Sequence, residues 1–488
     1  MKKVLFGIVF FVIALIFGGY FYGFNKLGKQ ITALRSANKE YAKGDWRELY
    51  AYEVGKQAFI YGYPAMYWSN IRYRFVEKPE RDISMGVNEL WQTNIPPLPE
   101  NNYGGSPNRD TRYGFCWTDL TNDAAIITVP ENTSNRYYSI QLVEMYSDIY
   151  GYIGTRATKN IPGDYLIVGP NFTGDTTGYK GIYKCPTNWS FIAVRVATVW
   201  DDEKDVKETK ALLDQFKINM LSEKGKTKKP YSRDVMDVYD AKSDPLLAVK
   251  MINEVMIQNP PPSRDDALMQ QYALVGMGSL GTTRTDTLHP SIQKGLRRAV
   301  VDAMALLKNS SIQYASITNQ NISVNQWIWG PKNWGRTAET GDFFGRAGSQ
   351  CMVGLMEHYI EECVKARVFN DSKGRPLNGK YSYKMHFEKD QIPKPIGFWS
   401  LTAYTDEYNL VPNDFKINSL GSYTKSLKYN QDGSLDIYFQ AEKPEETKAG
   451  NWHPVEKGKD FNVFFREYMP QTSWIDQSYI IPGIERID

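Results

Sequence analysis

The chain has 488 residues, 23% charged and 42% hydrophobic, with a formal net charge of +3. This balance excludes a disordered chain, supplies ample material for a core, and builds no basic stripe of the kind a nucleic-acid partner requires. The 12 Trp, 33 Tyr and 22 Phe, with 38 Gly and 25 Pro, favour β structure with many turns, and at roughly 150 residues per domain about three domains are expected.

In chain order, Lys2 and Lys3 precede an uncharged run from Val4 to Phe24 that is long enough to cross a bilayer as a helix. Tyr20 and Tyr22 suit a membrane interface, Tyr20 and Phe21 are poor neighbours for signal cleavage, and no Cys follows to carry a lipid. An uncleaved transmembrane anchor is expected, with the globular part outside the cytoplasm (periplasmic in a bacterium). Residues 30–60 read as a helix stopped at Tyr61-Gly62-Tyr63-Pro64. From about 100 to 200, short apolar runs (Ala125 to Val129, Tyr137 to Val143, Tyr165 to Val168, Phe191 to Val199) alternate with turn signals, as in a β-sandwich or jelly roll. From about 202 to 366 the period becomes helical. Ile292, Leu296, Val300, Ala303 and Leu307 share one helix face, Met352, Met356, Tyr359 and Cys363 another, and Ser263 with Asp266 reads as a capping box. The basic run Lys224, Lys226, Lys228 and Lys229 reads as a solvated linker. Beyond about 376 strands return, with alternation through Tyr381 to Phe387 and Leu435 to Gln440, and with Asp432-Gly433 as a hairpin signal.

One echo bears on architecture. Tyr137-Tyr138-Ser139-Ile140-Gln141 leads to Tyr146-Ser147-Asp148, and Phe398-Trp399-Ser400-Leu401-Thr402 leads to Tyr404-Thr405-Asp406. Two related sandwiches would explain it. The expected fold class is α+β: two β-sandwich, jelly-roll-like lobes joined by a helical segment, plus the N-terminal transmembrane helix. The expected boundaries are 1–29 for the anchor, 30–200 for the N-terminal helix and first lobe, 201–370 for the helical connection and 371–488 for the second lobe.

Cys116, Cys185, Cys351 and Cys363 show no CxxC spacing; a Cys116–Cys185 disulfide and buried free thiols both remain open. Gly276-Met277-Gly278-Ser279-Leu280-Gly281 matches a dinucleotide fingerprint but lacks the following helix, so a glycine-rich connector is expected. His358 and Glu362 read as an ion pair on a helix in preference to half of a metal site, and with only four histidines no metal and no cofactor are expected.

The chain resembles proteins that pair two domains of unknown function, 1254 at the N-terminal side and 1214 at the C-terminal side. The first signature is carried by Tyr61-Gly62-Tyr63-Pro64, Pro107-Asn108-Arg109-Asp110-Thr111-Arg112-Tyr113, Trp117-Thr118-Asp119-Leu120, Arg136-Tyr137-Tyr138 and Gly169-Pro170. The second is carried by Gly397-Phe398-Trp399-Ser400-Leu401-Thr402, Asp432-Gly433-Ser434-Leu435, Asn451-Trp452 and Phe465-Arg466-Glu467-Tyr468-Met469-Pro470. His453 stands where the family usually has Leu. The resemblance implies two jelly-roll lobes with helices between them and implies no reaction.

Two functional readings follow. In the first the chain is an extracytoplasmic hydrolase or lyase acting on a carbohydrate-like or other polar organic molecule between the lobes. Asp110 and Asp119 would serve as the acid/base pair and Arg136 as an electrostatic aid. Ligand contacts would come from Asn108, Tyr113, Trp117, Tyr138, Arg346, Trp399, Tyr404, Trp452, His453 and Arg466, the arginines gripping an anion and the aromatics stacking. His453 would be a solvent-facing titrating group. In the second reading the chain is a non-catalytic ligand-binding or assembly protein of the cell envelope. The expected partners are a membrane, through the N-terminal helix, and a small molecule or glycan, with self-association left open.

Overall fold

A computed structural model of the protein describes residues 44–77, 84–101, 105–223, 243–310 and 324–488. The apolar run 4–24, the first part of the expected helix 30–60 and the lysines of 224–229 lie outside these. Among the described residues no helix is long and apolar enough to cross a membrane.

Five helices matter for the site: α1 (Trp46–Arg72), α2 (Glu203–Leu213), α3 (Pro245–Gln258), α4 (Asp266–Ala273) and α5 (Pro290–Ser310). Helix α1 begins at Asp45, whose carboxylate accepts from Arg47 N, and it runs straight through Gly62 and Pro64, where the sequence predicts a stop. Packing overrides local propensity here. Gly62 lies so close to α3 that a Cβ would stand 2.4 Å from Ile252 Cγ2. The periodicity of α5 holds, and Leu296, Val300, Ala303 and Leu307 are all buried. Helices α1 and α5 touch through glycine: a Cβ on Gly295 would lie 2.3 Å from the Glu48 carbonyl oxygen, and one on Gly55 would lie 2.8 Å from Leu296 Cδ2. Gly295→Leu is therefore expected to be destabilising. Overpacking costs about 1–3 kcal/mol, more than the ~1 kcal/mol gained by removing a helical glycine. Urea unfolding checks this, and a variant as stable as the native chain would contradict the close approach.

The first lobe contains β1 (Trp91–Gln92), β2 (Thr111–Asp119), β3 (Ala124–Val129), β4 (Tyr138–Glu144), β5 (Ile149–Gly154), β6 (Gly163–Val168), β7 (Gly181–Lys184), β8 (Trp189–Ala197) and β9 (Lys217–Met220). The second contains β10 (Ile328–Trp329), β11 (Cys363–Val368), β12 (Tyr383–Phe387), β13 (Phe398–Thr405), β14 (Leu420–Gly421), β15 (Leu435–Gln440), β16 (Trp452–Pro454), β17 (Phe461–Tyr468) and β18 (Ile484–Arg486). The first lobe has sheets ordered β1-β2-β8-β4-β5 and β7-β6-β3-β9; the second has β10-β11-β17-β13-β14 and β16-β15-β12-β18. Advancing every strand number of the first lobe by nine reproduces the second. Even the parallel pairs correspond, β6 with β7 and β15 with β16. The lobes are duplicates, as the echo suggested.

Register fixes which residues correspond. The echo aligns Ser139 with Ser400, and their ladder partners on the central strands are Arg195 and Arg466. The same ladders equate Asp110 with Glu362, the residues just before β2 and β11, because Thr111 pairs Ala197 and Cys363 pairs Tyr468. Side-chain bonds repeat as well: Tyr138 N donates to Thr155 Oγ1 at 3.0 Å, and Trp399 N donates to Ser422 Oγ at 3.1 Å.

Within each lobe apolar side chains fill the space between the two sheets, Ile127, Ile140, Ile192 and Val194 in the first, Leu401, Ile437, Val463 and Phe465 in the second. The outer face of the first large sheet, with Trp117 and Phe191, packs on Trp68 of α1. All four cysteines are free thiols.

Several local expectations are corrected. Residues 346–353 form a π-helical turn and Cys363 opens β11, so Met352, Met356, Tyr359 and Cys363 share no helix face. Ser263 lies in a 3-10 turn with no side-chain cap bond. Asp432-Gly433 does form a tight turn, closed by Gly433 N donating to Asn430 O, but β15 pairs with β12 and β16 and makes no hairpin there. The glycine-rich run is a connector wrapped around the buried Asn253 amide, which donates to Gly276 O and Thr282 O and accepts from Gly278 N.

Candidate functional site

The lobes meet along the echo strands. Phe398 stacks on Tyr468 with ring centroids 4.2 Å apart, and Tyr137 stands edge-on to both. Around this aromatic centre each lobe grips the segment that leads into the other. Arg466 Nη2 donates to Tyr404 OH at 2.9 Å and to Ser106 O at 3.3 Å, and Tyr404 OH donates to Pro107 O at 3.0 Å. Asn108 Nδ2 donates to Tyr468 OH at 2.7 Å. Reciprocally, Arg195 Nη2 donates to Met356 O at 2.9 Å and Gln141 Nε2 to Glu357 O at 2.8 Å. The signature Pro107-Asn108-Arg109-Asp110 is thus half of a two-way latch. Asn108, Tyr404 and Arg466, expected at a ligand, are spent on it.

Beside the latch a cavity of about 520 Å³ opens between the lobes. The first lobe contributes Arg109, Asp110, Trp200, Asp201, Asp202 and Glu203, and the second Phe398, Trp399, Ser400, Ser419, Tyr423, Lys425 and Trp452. Asp110 is brought there by the turn before β2. Its buried carboxylate accepts from Ser400 Oγ at 2.6 Å and from Ser419 Oγ at 2.9 Å. Arg109 pairs with Asp201 at 3.0 Å. Asp202 caps α2 and reaches across the cavity mouth to Lys425 at 2.5 Å, and this contact holds its carboxyl below the usual range. Of the expected residues, Asp110, Trp399 and Trp452 border this cavity, although the Trp399 ring is buried in the second lobe's core against Phe387 and Phe465.

The others do not join them. Asp119 sits at the far end of β2, about 30 Å from Asp110 along the strand at ~3.3 Å per residue, where it accepts from Thr121 N and Oγ1 in a local turn. Two carboxylates that far apart cannot act on one bond, so the Asp110–Asp119 pairing is corrected. Arg136 ties α2 to β8 through Asp205 at 2.6 Å and Ala197 O at 2.9 Å. Trp117 lies in the core against Phe191, and Tyr138 lies between the sheets against Phe216. Tyr113 is half-buried with the Arg195 guanidinium 5.2 Å above its ring. Arg346 stands elsewhere, buried among Tyr61, Tyr146 and Phe343 beside Asp148 and Glu144, whose carboxyl burial pushes up. His453 does not face solvent. It accepts from Ala403 N through Nε2 at 3.1 Å, and burial pushes its pKa down to about 4.

His358 and Glu362 form no helical ion pair. His358 Nδ1 contacts Tyr152 OH at 3.1 Å, and Glu362 accepts from Tyr137 OH at 2.7 Å and from Arg156 Nε at 2.5 Å. Among the described residues no group of three or more His, Cys, Asp or Glu is placed to hold a metal ion. Sequence reading missed Arg195, Arg156, Trp200 and Tyr423 and took Glu362 only for half of a helical ion pair. For Arg195 and Glu362 the signal was the echo, which extended along the ladders marks them as counterparts of Arg466 and Asp110.

A family model described as protein of unknown function DUF1254 matches residues 87–220, and one described as protein of unknown function DUF1214 matches residues 362–472. No curated protein matches the chain. Among solved structures, the VPA0106 protein from Vibrio parahaemolyticus is similar with a TM-score of 0.69 at 20% identity, covering 90% of this chain and 100% of that one. A putative uncharacterized protein from Burkholderia cenocepacia shows a TM-score of 0.42 at 11% identity, with 88% of each chain covered.

Proposed function

We propose that this chain, which belongs to the family carrying domain of unknown function 1254 followed by domain 1214, is a non-catalytic binding protein whose ligand, a small polar organic molecule or glycan fragment, sits in the cavity between the lobes. The observation that supports this reading is the cavity itself, about 520 Å³ with aromatic and polar walls drawn from both lobes. Its size and composition fit those of small-molecule sites. Binding is favoured over hydrolysis or lyase chemistry because three of the four carboxylates that line it, all but Glu203, are already hydrogen-bonded or ion-paired. Asp110 holds two serine hydroxyls, Asp201 holds Arg109, and Asp202 holds a helix cap and Lys425. General acid/base work needs a carboxyl within reach of a proton on the substrate and poised to exchange it. As part of the same proposal, the run from Val4 to Phe24 anchors the chain in a membrane with both lobes outside the cytoplasm.

Crystals soaked with sugars and organic acids, together with titrations followed by tryptophan fluorescence, test the site. Density is expected between Trp200 and Tyr423. Trp200→Ala removes one wall and is expected to weaken the ligand at least tenfold. Density elsewhere on the lobes, or an unchanged affinity in the variant, would sink the assignment.

A further inference from the structure

The duplication supplies an internal comparison for the cavity. Each half has a carboxylate just before its first long strand, Asp110 facing the cavity and Glu362 at the equivalent position. Each half also has an edge strand that turns out of the sheet beside that carboxylate. Gly154 pairs with Ser139 and Gly421 with Ser400, so two residues further on Arg156 corresponds to Tyr423. At Arg156 the guanidinium fills the place itself: Nε lies 2.5 Å from Glu362, with the Tyr152 ring 5.3 Å away. Tyr423 supplies no guanidinium to Asp110, and the nearby Arg136 is held by Asp205. The side chain packs tilted against Phe398, with ring centroids 5.0 Å apart, and leaves the space open.

The charge of the open half is unbalanced in the matching sense. Two of its acids pair with Arg109 and Lys425, whereas Asp110, which feels the Arg109 charge, and Glu203 make no ion pair of their own among the described residues. Arg466 lies behind Asp110, but Arg195 holds the same position in the filled half, so the strand arginines do not account for the difference. Each Asp110 oxygen accepts one serine hydroxyl and keeps acceptor capacity for another donor. Trp200, Phe398 and Tyr423 add π faces, which attract cations where water is excluded.

We propose that the cavity takes a small organic cation whose guanidinium or ammonium group docks at Asp110, where the other half of the molecule places Arg156 at Glu362. This rests on the cavity being the ligand site and adds the ligand's charge. The test is calorimetric titration of the full chain with guanidinium, primary ammonium and quaternary ammonium compounds, each paired with its uncharged isostere (propylguanidinium with propylurea, butylammonium with pentanol, choline with its tert-butyl analogue), and with neutral sugars and organic acids alongside. At least one cation is expected to bind at least tenfold more tightly than its isostere. Tyr423→Arg, a change at a 42% exposed position, is expected to restore the self-filled arrangement and to lower that affinity at least tenfold with no fall in melting temperature. Isosteres binding as well as cations, binding confined to sugars or acids, or cation affinity unchanged in the variant would each overturn the cation proposal while leaving the cavity as a site. No binding by any compound would overturn both.

Discussion

Glu362→Ala is expected to cost about 3 kcal/mol of folding stability, several times the effect of an ordinary surface change. The side chain is 1% exposed and serves two donors from the opposite lobe, Tyr137 OH and the Arg156 guanidinium. Removing it leaves a hydroxyl and a cation at the lobe interface without their acceptor, and stripping one partner from a buried pair typically costs ~3–5 kcal/mol. The low end applies because Arg156 keeps 29% exposure and can recover part of its hydration. The duplicate position gives the control. Asp110→Ala breaks no direct ion pair: it strands two serine hydroxyls, groups whose desolvation costs about 1–3 kcal/mol and which open onto a cavity that water can enter, and it removes a charge near Arg466 and Arg109 that Tyr404 and Asp201 still serve. Urea unfolding of the two variants should therefore rank Glu362→Ala below Asp110→Ala. Equal losses would mean that the lobes do not depend on this contact.

The same pair shows what the sequence could and could not disclose. Strands with strong alternation or apolar runs were legible, because burial on one or both faces of a sheet leaves a period that sequence displays: β3, β4, β6, β8, β12 and β15 all fall where expected. Helix α5 was legible for the same reason. Helix α1 was legible only as far as its apparent stop, since its continuation through Gly62 and Pro64 is packed against Ile252, almost two hundred residues away. The site divides likewise. Asp110, Trp399 and Trp452 were selected for their chemistry and do border one cavity, but the Trp399 ring packs in the lobe core. Asp119 was selected as a second carboxylate, two residues after Trp117, and the strand between the two acids carries it far from Asp110. Arg466 was read as a grip on an anionic ligand, and in the structure it is a tie that runs between the lobes. Glu362 was read through a helix that the chain does not form there. Its role follows from the duplication, visible in the sequence only as a five-residue echo with a gap.

Glu467→Gln is expected to make the protein more stable in mild alkali and to leave it unchanged in acid. Glu467 lies on β17, fully buried, with Oε1 accepting a long 3.3 Å bond from Gln471 N and Oε2 without a partner. Burial raises its pKa from the ordinary 4.5 to about 8. A group raised in the folded state contributes its full stability below the unfolded value. As pH rises, the unfolded chain ionises while the folded chain holds its proton. The loss therefore accumulates between 4.5 and about 8, at up to roughly 1.4 kcal/mol per pH unit. The amide keeps the shape and cannot ionise, so the difference in unfolding free energy between variant and native chain should grow steadily through this window and flatten above it. Glu144, buried and raised in the same direction, remains in both proteins and cancels from the difference. Parallel profiles across the window would show that Glu467 is already ionised in the folded lobe. The β17 core would then have to hold a buried carboxylate with one oxygen unpartnered, at a cost of several kcal/mol.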